Sequence, residues 1–334
     1  MIRPVAFGLG ALGLIGALVG WILAPTSFAG AWLASLTWFI GWPLGSMALL
    51  LIHALTGGRW GEVLHPALVA GAATIFVIVP LALPLILTAP RLYPWIEQAA
   101  PAGEGFYLNG AFFAVRATIY LVVWCGLGLL TLRGNLLTLA PPALGLLALT
   151  VTFAAIDTTM ALDPQFNSSV YGLLTIAGDG LLALSIAILT MALLTEPTPA
   201  EWSDLGRLLI GLVVFWAYLD FVQFLIVWQS DLTSEIPWYL RRGQGAWGIV
   251  AGLVAFGHFL LPFALLLTGA AKRRRGVVAG TAALLIVMEM LRTWWLVLPS
   301  LGGGFDWIDA AAMLGLAGLS AGWLGHRLEG LRHG

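Results

Sequence analysis

Charged residues and cysteine are scarce in this sequence. Only 9% of its 334 residues are charged, the formal net charge is −1, and one lysine stands among fifteen cationic side chains. Such a chain offers no basic surface for nucleic acid. Its one cysteine, Cys125, lies in an apolar run. A disulfide framework, an iron–sulfur cluster and a cysteine-rich zinc site are therefore excluded within this chain.

Hydrophobic residues, in contrast, make up 60% of the chain and form ten long apolar segments. Each is about 20 residues long, enough to span a membrane as a helix, and none alternates with the period of two that a membrane β-barrel requires. We expect an all-α polytopic membrane protein with about ten transmembrane helices, forming a single integral membrane domain over residues 1–334. The first apolar run, from Arg3 to Leu23, exceeds the roughly 7–15 residues of a signal-peptide core, so we expect a retained helix. The segments lie at about 4–24, 28–55, 66–88, 108–131, 138–162, 170–194, 205–229, 245–270, 275–298 and 306–326.

The arginines predict the orientation. If the N-terminus is inside, ten cations fall on the inner side and three on the outer side, while Arg116 and Arg292 lie within helices. Cytoplasmic loops carry such an excess of positive charge. Both termini are therefore predicted to be cytoplasmic, and the loop after residue 229 is predicted to face outward.

Ionisable residues inside the membrane are concentrated in one half of it. Counted at 1.5 Å per residue, six of them from five helices lie within about 8–15 Å of the predicted outer surface, and His258 lies near the midplane. Each such charge costs roughly 2.5–3.5 kcal/mol to insert, so these residues are candidates for function. Glu289 and Arg292 are three residues apart on one helix and are predicted to pair. The six are Arg116, Asp157, Asp179, Asp220, Glu289 and Arg292.

Two interpretations of this cluster are open. In the first, Arg116 and Arg292 are counter-ions that neutralise carboxylates and only fasten the helices together. In the second, the acids and a histidine form a hydrated polar cluster or proton path. Four acids face two arginines, so at least two carboxylates need another partner, water or a proton. The candidates for the proton path are Asp157, Asp179, Asp220, His258 and Glu289.

The outer loop between the seventh and eighth segments has an unusual composition. Two tryptophans, a tyrosine and two arginines lie close together in it. Interfacial aromatic belts explain part of this pattern, but the density of arginine also suggests contact with another protein. We therefore predict a docking surface for partner subunits made of Trp228, Trp238, Tyr239, Arg241 and Arg242.

Cofactor and catalytic motifs are missing from the sequence. A haem held by two histidines needs a second histidine at the depth of His258, whereas His53 and His65 lie near the inner membrane surface. No phosphate-binding loop follows a strand, and no nucleophile stands beside a base. We expect no metal and no cofactor in this chain, and no bond-making reaction by this chain alone.

Four stretches of the sequence resemble a known family. In order and spacing they are similar to the F-type membrane subunit (ActF) of alternative complex III, which is related to the polysulfide-reductase-type (NrfD-like) integral subunits. The resemblance covers most of the chain and implies two four-helix bundles plus two extra helices. The bundles would be helices 2–5, at about 28–162, and helices 6–9, at about 170–298. The stretches are WFIGWPLGSMALLLIHALTGGRWG (38–61), DTTMALDPQFNSSVYG (157–172), FWAYLDFVQFLIVWQSDLTSEIPWYLRR (215–242) and its continuation at 243–248.

The resemblance also implies a function and partners. The chain would be an integral subunit of a quinol-oxidising electron-transfer complex in a bacterial inner membrane, where it would contribute a proton path. Its partners would be a homologous NrfD-like quinol-binding membrane subunit, a multihaem cytochrome c subunit and an iron–sulfur subunit, which would hold the quinone, haem c and iron–sulfur clusters. Two alternatives stay open. A stand-alone secondary transporter or channel would show paired broken helices in inverted repeats, and a purely scaffolding subunit would place every acid within about 4 Å of an arginine.

Overall fold

Helices make up nearly all of the computed structural model, which describes residues 2–96, 105–134 and 138–333. Within these ranges there is no strand, and ten helices are long and apolar enough to cross a membrane. The predicted all-α polytopic fold is therefore confirmed. The helices are α1 Ile2–Leu23, α2 Pro25–Thr56, α3 Arg59–Leu92, α4 Gly110–Leu132, α5 Ala140–Leu162, α6 Tyr171–Leu194, α7 Pro199–Gln229, α8 Gly245–Leu266, α9 Arg275–Leu301 and α10 Trp307–His333.

Four of these helices end in, or contain, turns of a different pitch, and one of them is α5, which ends in a 3₁₀ turn at Met160–Leu162. In α3, the residues Val79–Ala82 form a 3₁₀ turn around Pro80, which has no amide hydrogen to donate. In α8, the residues Ala255–Leu260 are π-helical. The last turn of α9, Leu298–Leu301, is again 3₁₀. The break in α8 shapes the polar cluster described below.

Helices α2 and α6 cross at the centre of the molecule. Two glycines of α2, Gly41 and Gly45, face Asp179 of α6. A Cβ atom at Gly45 would collide with the backbone carbonyl of Asp179, and one at Gly41 would collide with its carboxylate. Small residues let membrane helices approach until their backbones touch. The same contact brings the Asp179 carboxylate against α2.

Helices α1 and α10 pack against each other at one side of the molecule. Gly10 and Gly13 of α1 lie against Gly315 and Gly318 of α10. A Cβ atom at Gly10 would lie 2.8 Å from the backbone nitrogen of Leu319. Elsewhere α1 exposes many large apolar side chains, as a helix that faces lipid does.

The remaining helices, α2 to α9, pack together in one connected bundle. Helices α2 to α5 contact one another, and so do α6 to α9, while α2 also packs along α6 and α9. The largest cluster of buried apolar side chains runs through helices of both these groups, from Trp42 on α2 to Leu285 on α9. The two groups therefore share one core, and the polar cluster lies where they meet.

Candidate functional site

A buried carboxylate on α9, Glu289, is the centre of the polar cluster. Its Oε1 accepts a hydrogen bond from Nη1 of Arg292 at 2.6 Å. Its Oε2 lies 2.8 Å from Nε2 of His258 on α8. The side chains of all three are almost fully buried. The predicted pair of Glu289 and Arg292 is confirmed, and a histidine completes it.

The π-helical turn of α8 places His258 toward Glu289. Pro262 follows four residues later, and a proline ring conflicts with the carbonyl of the residue four positions before it. A wider turn relieves that conflict, and such turns are frequent at functional sites. Opposite, the imidazole packs on the indole of Trp216, with 4.0 Å between ring centroids. The histidine is thus held between Glu289 and an aromatic ring.

Asp179 lies beside this network without joining it. The preceding residue, Gly178, faces the network: a Cβ atom there would lie 2.8 Å from Oε1 of Glu289 and 3.4 Å from Nη1 of Arg292. Among the described residues, no arginine, lysine or histidine lies within 4.0 Å of the Asp179 carboxylate, and no side-chain hydrogen bond reaches it. The carboxylate is half-buried and lines a cleft.

That cleft opens beside the cluster. It encloses about 1050 Å³, its mouth included, and six helices line it. Its walls are mostly aliphatic and aromatic, with threonine hydroxyls between them. Asp179, Glu289 and Arg292 are its charged residues. A mostly apolar cavity with a few convergent polar groups is the usual form of a ligand or substrate site.

A second ion pair joins α4 to α5. Arg116 donates to both carboxylate oxygens of Asp157, from Nε at 2.8 Å and from Nη2 at 3.0 Å, and the hydroxyl of Tyr120 donates to the same group at 2.8 Å. Arg116 also donates to the carbonyl of Tyr107 at 3.0 Å. Arg116 thus has the ion pair that is expected of a counter-ion. Three donors satisfy this carboxylate, which indicates a fastening role for Asp157.

Asp220 of α7 lies one helical turn beyond Trp216. It is half-buried, and its carboxylate has no ion pair or side-chain hydrogen bond with any residue that the structure describes. Trp216 connects it to the network, because the indole contacts His258 and lies 5.5 Å from the guanidinium carbon of Arg292. Of the five proton-path candidates, Glu289 and His258 are thus in contact. Asp179 on α6 and Asp220 on α7 lie near them.

The predicted docking loop is partly turned inward. Arg242 is 0% exposed and Trp238 only 3%. The guanidinium stacks on Trp238 at 3.8 Å and donates to the carbonyl of Leu296 at 2.7 Å. The prediction that these two side chains face a partner is therefore wrong, because packing against α9 buries them. Trp228 is 69% exposed, and Arg241 also lies at the surface, so their docking role stays a prediction, as does that of half-buried Tyr239.

The inward side chain of Arg242 reveals a cluster that the sequence did not indicate. The carboxylate of Asp163 accepts hydrogen bonds from Arg241 at 2.5 Å, from Arg242 at 3.5 Å and from the hydroxyl of Ser300 at 2.7 Å. Burial lowers the pKa of the Arg242 guanidinium to about 10, against the opposing effect of Asp163. These residues come from two connections and from the end of α9, which are far apart in sequence, so no local spacing could have predicted their meeting. The cluster fastens the loop to the end of α9.

Carboxylates and a histidine inside a membrane protein are groups that can hold and transfer protons. Among the described residues, no group of three or more His, Cys, Asp and Glu side chains could hold a metal ion. Within the cluster, two carboxylates have no cationic partner among the residues that the structure describes, and one of them faces an open cleft. A comparison with protein-family models and with curated proteins finds no match to this chain.

Proposed function

We propose that this chain is an integral subunit of a quinol-oxidising electron-transfer complex and that it carries a proton path. The observation that carries the proposal is Asp179. It is a carboxylate without a cationic partner among the described residues, it faces a cleft, and it lies beside a buried Glu289–His258 pair. Carboxylates and histidine are the groups that form proton relays in membrane proteins.

The path has a geometric order. A proton taken up by Asp179 from the cleft passes to Glu289, whose Oε1 lies against the neighbouring Gly178. From Glu289 it reaches Nε2 of His258 across 2.8 Å. The other ring nitrogen, Nδ1, is buried and has no hydrogen-bond partner within the described ranges. It therefore offers the atom from which the proton would leave the histidine.

The pairing of the charges speaks against a purely scaffolding role. A scaffold gains nothing from a buried acid without a partner, since desolvation of that group is not compensated. Asp157 and Glu289 are paired with arginine, as a scaffold requires. Asp179 and Asp220 are not, within the part of the chain that the structure describes. Asp157 joins α5 to α4 through Arg116, and Glu289 joins α9 to α8 through His258.

The positions of the broken helices speak against an inverted-repeat transporter. The two interrupted helices are α3 and α8. They are the second helix of the group α2 to α5 and the third of the group α6 to α9. Paired broken helices of a transporter occupy matching positions in its two halves.

The test compares carboxylate variants in the assembled complex. Asp179→Asn and Glu289→Gln should leave quinol oxidation measurable but lower the number of protons released per electron in proteoliposomes. Asp231→Asn, an exposed aspartate in the outer loop, is the matched control and should match the parent protein. An unchanged proton yield in both cluster variants would refute the path. Gentle purification tests the complex itself: a haem c spectrum should accompany this chain, and a chain that purifies alone would refute the assignment.

The cleft favours a second candidate function, in which this chain itself binds the quinol. An apolar tail would lie along the walls, and a ring hydroxyl would donate to Asp179, the carboxylate that lacks a partner among the described residues. Organic extraction of the purified chain tests this possibility. Retained quinone that is lost on Leu36→Trp, a change that narrows the cleft wall, would support it, whereas an empty extract would exclude it.

A further inference from the structure

The four consecutive cationic residues at 272–275 make different contacts in the structure. Lys272 donates from Nζ to the carbonyl of Leu267 at 3.4 Å, and Arg275 donates to the carbonyl of Ala192 at 2.5 Å. Both therefore cap the ends of neighbouring helices, as cations do. Arg273 is exposed and instead lines a separate open pocket. The positive charge of this loop, which is predicted to lie on the inner side, is therefore not distributed evenly along it.

Arg273 meets two further arginines in this pocket. Arg59 lies 2.7 Å from Oδ2 of Asp204, and Arg207 lies 3.5 Å from Oδ1 of the same carboxylate. Three arginines thus face one aspartate in the lining. The nearby Glu201 does not line the pocket, and its carboxylate accepts hydrogen bonds from the backbone amide and hydroxyl of Thr198 at 2.6 Å and 2.8 Å. The pocket has an uncompensated positive charge.

The remaining lining and the surroundings of the pocket suit a lipid. Thr198 and Ser203 supply hydroxyl groups, and the empty space is about 740 Å³. The pocket lies where α3 and α7 begin and α8 connects to α9. The ends of α2, α6 and α8, which lie at the same membrane surface, expose Leu55, Leu193 and Leu267. A charged recess beside exposed apolar side chains matches a molecule with an anionic head and acyl chains.

We propose that this pocket binds the phosphate head group of an anionic phospholipid. Guanidinium groups bind phosphate oxygens in pairs of parallel hydrogen bonds. Basic pockets between transmembrane helices on the cytoplasmic side bind such head groups. The three arginines come from segments more than sixty residues apart, so the lipid holds the starts of α3 and α7 to the connection between α8 and α9. This site is independent of the proton path.

The experiment measures binding of phosphatidylglycerol to the purified full-length protein by native mass spectrometry, with phosphatidylcholine of the same acyl chains as reference. Arg273→Gln should weaken the preference for phosphatidylglycerol roughly fivefold. The triple variant Arg59→Gln, Arg207→Gln and Arg273→Gln should abolish it. Arg274→Gln is the matched control, since Arg274 is also exposed in the same run but does not line the pocket. It should bind as the parent protein does.

Two outcomes would overturn the proposal. Equal losses for Arg273→Gln and Arg274→Gln would show that general surface charge attracts the lipid. Stabilisation of the protein by inorganic phosphate alone, equal to that by phosphatidylglycerol, would show a site for a soluble anion. The melting temperature of each variant in phosphatidylcholine checks its folding, and the exposed positions of these arginines predict that it is unchanged.

Discussion

The same substitution at two aspartates of the cluster should have very different effects on stability. Asp157 is 1% exposed and accepts three hydrogen bonds, two from Arg116 and one from Tyr120. In Asp157→Asn one oxygen becomes an amide group that cannot accept, and the guanidinium loses its counter-charge. Asp179→Asn removes no ion pair and no side-chain hydrogen bond to any of the described residues.

The magnitude follows from the geometry at each site. Breaking a buried ion pair by removing one partner costs about 3–5 kcal/mol, because the other charge stays buried. Each hydrogen bond to a charged group contributes roughly 1.5–3 kcal/mol, which agrees with the loss of one or two of the three bonds. We therefore expect Asp157→Asn to lower the free energy of unfolding by about 3–5 kcal/mol. The loss for Asp179→Asn should stay below about 1 kcal/mol.

Unfolding of the purified protein by dodecyl sulfate in mixed micelles, followed by tryptophan fluorescence, measures both values. The double variant Arg116→Met with Asp157→Leu should lose less than the sum of the single changes, since no unpaired charge remains. Equal losses for Asp157→Asn and Asp179→Asn would refute the division of roles between the two aspartates. A double variant whose loss of stability equals the sum of the two single losses would refute it as well.

Three further predictions concern the helix crossing and the loop between α7 and α8. Gly45→Ala should destabilise the protein strongly in the same unfolding assay, because the added Cβ atom would collide with the backbone of α6. Gly180→Ala is the control and should have little effect, because its added Cβ atom would meet no atom within 4 Å. Equal effects of the two substitutions would contradict the close crossing of α2 and α6. Burial raises the pKa of Glu235 in the folded state above its unfolded value, so the folded protein gains stability as pH falls through that folded pKa. Glu235→Gln should therefore raise the melting temperature at pH 8, and the gain should vanish below about pH 4, where the unfolded state is also protonated; a gain that is constant with pH would exclude this cause. Arg242→Gln should cost about 3–5 kcal/mol, whereas Arg241→Gln, an exposed partner of the same aspartate, should cost under about 1 kcal/mol; the reverse order would show that the loop faces outward.

Features within one helix were predictable because helix geometry is regular. Ten runs of about 20 apolar residues can satisfy their backbone hydrogen bonds in a membrane only as helices, so the fold class followed from length and composition. Glu289 and Arg292 pair because three residues along a helix return a side chain to the same face. The excess of acids over arginines also predicted that some carboxylates would have no cationic partner.

Contacts between helices were decided by the tertiary structure alone. Membrane helices are apolar on all sides, because lipid and protein core are equally apolar, so the sequence does not show which face turns inward. The rotation of each helix depends on close backbone contacts such as that of Gly45 with Asp179. That packing brings His258 against Glu289 and pairs Arg116 with Asp157 rather than with another acid. It also buries the side chain of Arg242. Which carboxylates stay unpaired, and hence where a proton path can run, is therefore a property of the packing.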